Sequence, residues 1–406
     1  MGKKIEINVA VLLLYVLGAI ALIILVWLVV SAGRLSSERN PGETPELLVV
    51  TPRPTAEPAA TVPVAVWNYI VTPTPGPTAG GIATLVPVTP PPLIYPEPRA
   101  RSGFHFGGQV LDFGLVAVDK MRLAGMPWVK FQIPVGAGDA EERIFQAHQR
   151  GFKALVSIVG GRNDVLEPGY GAAFGAYAAE VAAFKADAIE IWNEPNIARD
   201  WPAGHIDPGL YLNILRPSYE AIKSVNPNTI VVSAGLAPTL LAENLRTENF
   251  WTEVDYTTEL VARGGLNYLD CFGIHYNIAN SPPTATDPSL TGDAAFFYYP
   301  RILEHYNAVS RGTRPVCFTE YGILTDEGMQ DLMEVAPNFL WADDNTLQEQ
   351  GDWLNLARAI SAGNAQVEMM IVWNVDFWHY GADPHAGYAI IRPDGSCPSC
   401  DVLAGQ

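Results

Sequence analysis

Two stretches of the chain end an apolar run on a glutamate: Ile189-Glu190-Ile191-Trp192-Asn193-Glu194-Pro195-Asn196 and Pro315-Val316-Cys317-Phe318-Thr319-Glu320-Tyr321-Gly322. Each run has strand character and breaks at once into a Pro or Gly turn, which places both glutamates at strand ends. Two carboxyl groups held in that way suit the cleavage of a glycosidic bond. One donates a proton to the leaving oxygen, and the other attacks or stabilises the anomeric carbon. Either glutamate alone reads more readily as a solvated loop residue or half of an ion pair. The pair, with Asn193 beside the first, favours catalysis.

The elements that must position them alternate. Short β-branched or aromatic runs at 104–108, 128–134, 154–159, 188–192, 230–233, 272–275, 316–319 and 370–373 are predicted strands. Helical patterns fall between them at 115–123, 140–150, 174–184, 210–225, 253–262, 301–310 and 347–362. Eight strands alternating with helices predict an α/β fold, a (β/α)8 TIM barrel over 100–406, rather than an open sheet. Both glutamates then lie at C-terminal strand ends, the face where such barrels carry their chemistry. Glu190 shares the parity of Glu194 and is expected inside the barrel as a hydrogen-bond partner. After the last strand the chain runs through the Pro393-Asp394-Gly395 turn and stops at Gln406, so the eighth helix is expected short or missing.

These motifs resemble the clan of retaining glycoside hydrolases whose catalytic glutamates follow strands 4 and 7, nearest to families 5 and 39, cellulase-like and xylosidase-like. Trp192-Asn193-Glu194-Pro195-Asn196 and Glu320-Tyr321-Gly322 carry the resemblance, with Trp201 and the Tyr219-Glu220-Ala221-Ile222-Lys223 segment downstream. It implies that Glu194 is the general acid/base, kept protonated by its charged neighbour, and that Glu320 is the nucleophile. It also implies that Asn193 binds the sugar 2-hydroxyl, and that His275 and Tyr276 line the site. Relatives place the tyrosine one residue later, where this chain has Asn277; a satisfied barrel histidine remains the competing reading of His275. Trp373 is expected as an aromatic platform under the sugar. Trp201, Trp341, Trp378, His379 and His385 are candidate subsite walls. His105, Gln109, Lys130 and Gln132 are candidate polar contacts on the first two strands.

The domain is preceded by two other segments. Residues 7–33 hold no charge, and 9–30 as a helix would rise roughly 33 Å, enough to cross a bilayer core. A transmembrane anchor within 1–40 is expected; a signal peptide cleaved near Val30-Ser31-Ala32 is the rival, disfavoured by the length of the apolar run. Residues 41–99 hold 15 of the chain's 33 prolines and read as an extended linker. The catalytic domain is thus expected outside the cell, tethered to the cell membrane by a single pass. Residues 1–99 carry six basic and six acidic groups, so the whole net charge of −18 falls on the barrel. That surface repels nucleic acid and other polyanions and fits a neutral oligo- or polysaccharide.

Cys271 and Cys317 fall in predicted strands. Counting alternate residues puts Cys317 opposite Glu320, so a bond to Cys271 is not expected and both read as buried thiols. Cys397-Pro398-Ser399-Cys400 reads as a local disulfide, with a redox pair or a zinc half-site as weaker readings. The histidines show no metal spacing, and Gly160-Gly161-Arg162 lacks what a phosphate loop needs, so no cofactor and no metal are expected. A non-catalytic sugar-binding barrel and a transglycosylase using the same intermediate are the alternatives to a hydrolase.

Overall fold

The structure, a computed structural model, describes residues 94–405. The apolar segment at 7–33 and the linker through residue 93 lie outside the described residues. Among the described residues no helix is long and apolar enough to cross a membrane.

Eight parallel strands, β1 (His105–Gln109), β2 (Trp128–Pro134), β3 (Lys153–Val159), β4 (Ala188–Ile191), β5 (Ile230–Ser233), β6 (Phe272–Tyr276), β7 (Val316–Tyr321) and β8 (Val367–Val372), pair in the order β5-β4-β3-β2-β1-β8-β7-β6. A parallel bridge from Val232 to Cys271 closes β5 onto β6, completing a (β/α)8 barrel. The helices Leu115–Leu123, Ala140–Gln149, Tyr170–Ala183, Pro208–Val225, Glu253–Ala262, Tyr299–Ser310 and Leu347–Gly363 follow the first seven strands. β8 begins three residues before its predicted start because Glu368, a charged residue inside the strand, hides the apolar run; it is fully buried and bound by Arg99.

The eighth helix is present but short. Pro398–Ala404 packs against Leu347–Gly363 and Leu115–Leu123, the place an eighth helix takes, and the Cys397–Cys400 disulfide lies at its start. Residues 95–99, predicted as linker, belong to the barrel. The carbonyl of Glu97 accepts from Arg314 at 2.8 Å, and the backbone N–H of Arg99 donates to Thr313 O at 3.0 Å.

One interior cluster, comprising Trp128, Leu155, Ala188, Ile230, Val232, Cys271, Cys317, Met369 and Ile371, fills the lower barrel. Contrary to expectation, Cys271 and Cys317 are bonded within it, with Cα atoms 5.8 Å apart. The cause is a β-bulge. Ile274 pairs with Phe318, but the next pair is His275 with Glu320, and Thr319 is skipped. The extra residue shifts the side-chain alternation, so Cys317 and Glu320 both face inward. A bond across 46 residues of chain removes about 4 kcal/mol of unfolded-state entropy in the loop-closure view.

Candidate active site

The Trp192-Asn193-Glu194-Pro195-Asn196 turn is built for a fixed direction. Trp192 and Glu194 both have positive φ, 77° and 45°, a conformation costing on the order of 1–3 kcal/mol each for residues with a side chain. Buried contacts hold it. The Trp192 ring packs on Phe174 and Trp201, with centroids 5.7 and 5.2 Å away. Asn196 donates to the carbonyls of Ala237 at 2.9 Å and Trp251 at 3.2 Å, and accepts from Ala237 N at 2.8 Å. The backbone N–H of Glu194 donates to Gly235 O at 3.0 Å. A side chain at Gly235 would run into the His275 ring, so the glycine is required there.

Glu194 and Glu320 converge at the C-terminal mouth of the barrel. Oxygens of the two carboxylates and a ring nitrogen of His275 lie within 4.8 Å of one another. His275 Nδ1 is 2.9 Å from Glu194 Oε1 and 3.5 Å from Glu320 Oε2. Lys130 Nζ lies 2.9 Å from Glu190 Oε2 and 3.4 Å from Glu320 Oε1, and donates to Thr319 O at 3.1 Å. Asn277 Nδ2 donates to Glu320 Oε2 at 2.9 Å. Arg199 binds Glu194 Oε2. Three cations (Lys130, His275, Arg199) thus face three carboxylates.

That arrangement sets the protonation states. Burial disfavours charge on His275, but the adjacent Glu320, Glu190 and Glu194 outweigh it and push the imidazole up to about 10. Burial likewise opposes the Glu194 carboxylate, yet the hydrogen bond and charge of His275, with the charge of Arg199, hold it at about 2. Glu190, also buried, is held well below the usual range chiefly by the Lys130 ammonium. Burial and the charge of Glu194 raise Asp200 to about 6. The expected protonated resting state of Glu194 is therefore reversed: the cations win over the neighbouring carboxylate.

His275 supplies a pH-dependent term. With a folded value near 10 and an unfolded value near 6.5, its contribution is full below pH 6.5 and is lost as pH rises through 10. Stability of the wild type relative to His275→Gln is expected to shrink steadily over that window in denaturant unfolding at a series of pH values. A constant difference would contradict the buried imidazolium.

A cavity of about 380 Å³ opens above the glutamates, and Asn277, Trp341, Trp373, His385 and Tyr388 are among its lining residues. Asn193 instead lines a second cavity of about 220 Å³ with Gln132 and Asp200, and its Nδ2 is 3.4 Å from Asp200 Oδ2. Several expected site residues lie elsewhere. Trp201 is 0% exposed, in the core, its Nε1 donating to His205 O at 2.9 Å. Tyr276 points outward between barrel and helices, donating to Phe297 O at 2.7 Å and packing on Tyr321. Neither leaves a face for a sugar. Trp378 is exposed outside both cavities, donating to Ile391 O at 3.0 Å. His379 packs on His385, their centroids 6.1 Å apart. His105 starts β1 and sits at the opposite, lower face beside Ser102, whereas Gln109 ends the strand, buried. His275 is fully buried beneath the glutamates, so it touches them rather than a ligand.

Arg199, Asn277, Asp383 and Tyr388 were not singled out from the sequence as site groups. The Tyr388 hydroxyl donates to Asn277 O at 2.7 Å, so a residue after β8 braces the loop after β6. Arg199 lies on the same loop as Glu194, a signal that a closer reading of the motif's next turn could have used.

No family model and no curated protein sequence matches the chain. Solved structures do. A glucosidase from Croceicoccus marinus is 14% identical with a TM-score of 0.50, covering 76% of this chain and 69% of its own. Cel5A of Thermotoga maritima in complex with cellobiose is 13% identical with a TM-score of 0.47, over 74% and 97%. The exo-beta-1,4-mannosidase Op5Man5 from Opitutaceae bacterium strain TAV5 is 16% identical with a TM-score of 0.48, over 78% and 61%. At such identities the likeness is one of fold.

Proposed function

We propose that this protein is a retaining glycoside hydrolase acting on a neutral oligo- or polysaccharide. The observation that carries the reading is the convergence of Glu194 and Glu320, with oxygens within 4.8 Å, at the mouth of the barrel. Retaining enzymes hold their carboxyl groups about 5–5.5 Å apart, whereas inverting enzymes leave room for a water between them. Glu320, paired with Lys130 and Asn277, is oriented to attack the anomeric carbon. Its ester forms as the glycosidic oxygen takes a proton from Glu194, which has first taken that proton from solvent water as the glycoside binds. Glu194 then accepts a proton from the water that cleaves the ester. Buried acceptors without a protein partner, Asn193 Oδ1 and Asn277 Oδ1, suit a hydroxyl-rich ligand, and Trp373 offers an aromatic wall. The cellobiose complex and the glucosidase and mannosidase names of the structural neighbours agree with that chemistry.

The same proposal places the barrel outside the cell, tethered through the linker by the segment at 7–33. Support comes from the cysteines: all four are paired, as expected of an oxidising compartment.

The test is incubation with a panel of 2-deoxy-2-fluoro glycosides followed by peptide mapping. A stable adduct is expected on Glu320, and an adduct on another residue would refute the assignment. Glu194→Gln is expected to lose at least about 100-fold in kcat/KM on glycosides with poor leaving groups and far less on activated aryl glycosides. Equal losses on both would remove Glu194 from the acid role.

A further inference from the structure

Arg199 stands five residues after Glu194 on the loop that follows β4. Three carboxylates hold its guanidinium: Glu194 Oε2, Asp200 Oδ2 at 3.1 Å and Asp383 Oδ2 at 3.7 Å. Glu194 Oε1 is already taken by His275, so Oε2 is the oxygen left for a leaving group, and Arg199 occupies it. The Arg199 side chain is 59% exposed and that of Glu194 only 7%, so the arginine is the partner free to move. Arg199 also lines both cavities, the one with Glu194 and Glu320 and the one with Asn193. A sugar that reached both Glu320 and Asn193 would meet the guanidinium, which lines the cavity of each.

We propose that Arg199 is a displaceable latch on the acid/base, an inference that rests on the hydrolase reading above. At rest it covers Glu194 as the carboxylate. An arriving glycoside moves the guanidinium onto Asp200 and Asp383, which already flank it, joining the two cavities and freeing Oε2. The uncovered carboxylate takes a proton from solvent water and passes it to the glycosidic oxygen as the C1–O bond breaks and the Glu320 ester forms. In the second half, water gives a proton to Glu194 and its oxygen to C1, and Glu320 leaves as carboxylate. Glu194 returns its proton to solvent as Arg199 closes. Arg199 is thus a positioning residue, acting through Glu194.

The experiment is the pH dependence of kcat/KM, whose alkaline limb reports the free enzyme's acid. In Arg199→Ala the limb is expected to move up by about one pH unit, as removal of an adjacent cation implies. KM is expected to fall, by up to about fivefold, because a half-exposed ion pair no longer has to be broken. Asp383→Asn, a change at a half-exposed side chain, removes a landing carboxylate; the limb should move down and KM rise. This second variant decides the matter if Arg199→Ala does not fold. Turnover with an unmoved limb in both variants, or equal losses of kcat on activated and poor leaving groups, overturns the latch alone. Absence of both turnover and a Glu320 adduct in the wild type overturns the hydrolase reading and the latch with it.

Discussion

Glu320→Gln is expected to lower kcat by on the order of 10⁴-fold or more, the scale seen when a nucleophile is removed, and to abolish labelling by 2-fluoro glycosides. The amide has the shape of the carboxylate but cannot form the ester. The fold should survive the change. Glu320 is 6% exposed, and Lys130 keeps its closer contact to Glu190 at 2.9 Å when the Glu320 charge is gone. Steady-state kinetics beside thermal unfolding separates the two effects. A variant that unfolds at the wild-type temperature yet keeps more than about a tenth of kcat would show that Glu320 is not the nucleophile.

Lys130→Met is expected to cost about 3–5 kcal/mol of stability, the range for removing one partner of a buried ion pair. Lys130 and Glu190 are both 0% exposed. Burial alone would drive the Lys130 pKa down; the charges of Glu190 and Glu320 overcome it and raise it. Methionine leaves Glu190 with only the more distant His275, 3.8 Å away, as a cationic partner, or forces it to take a proton. The double variant Lys130→Met/Glu190→Gln should recover a large part of the loss, because it removes the under-compensated charge as well. Denaturant unfolding of the four proteins checks this as a double-mutant cycle. A loss below about 1 kcal/mol in the single variant would contradict the buried pair.

Much of the barrel was legible because its signals are local. A β-branched run ending in a turn, or a stretch of helical period, is set by residues within a few positions of one another, and the eight strands and seven long helices followed from such runs. The glutamates were legible for the same reason, since each lies where its own strand stops. The facing of side chains was not. The Thr319 bulge depends on how β7 pairs with β6 and β8, so alternation counted along β7 alone separated Cys317 from Glu320 and missed the disulfide. Tyr276 and Trp201 carry aromatic rings at positions that suited a site, but the space between barrel and helices took both.

The sequence by itself determined which groups could do the chemistry and at which end of which strand they stand, because strand ends and turns are written in neighbouring residues. Only the tertiary structure decided their charge states and their companions. Lys130, Arg199 and the His275–Asn277 pair come from three separate parts of the chain, and a carboxylate's proton affinity depends on which charges lie within a few ångströms, however distant in sequence.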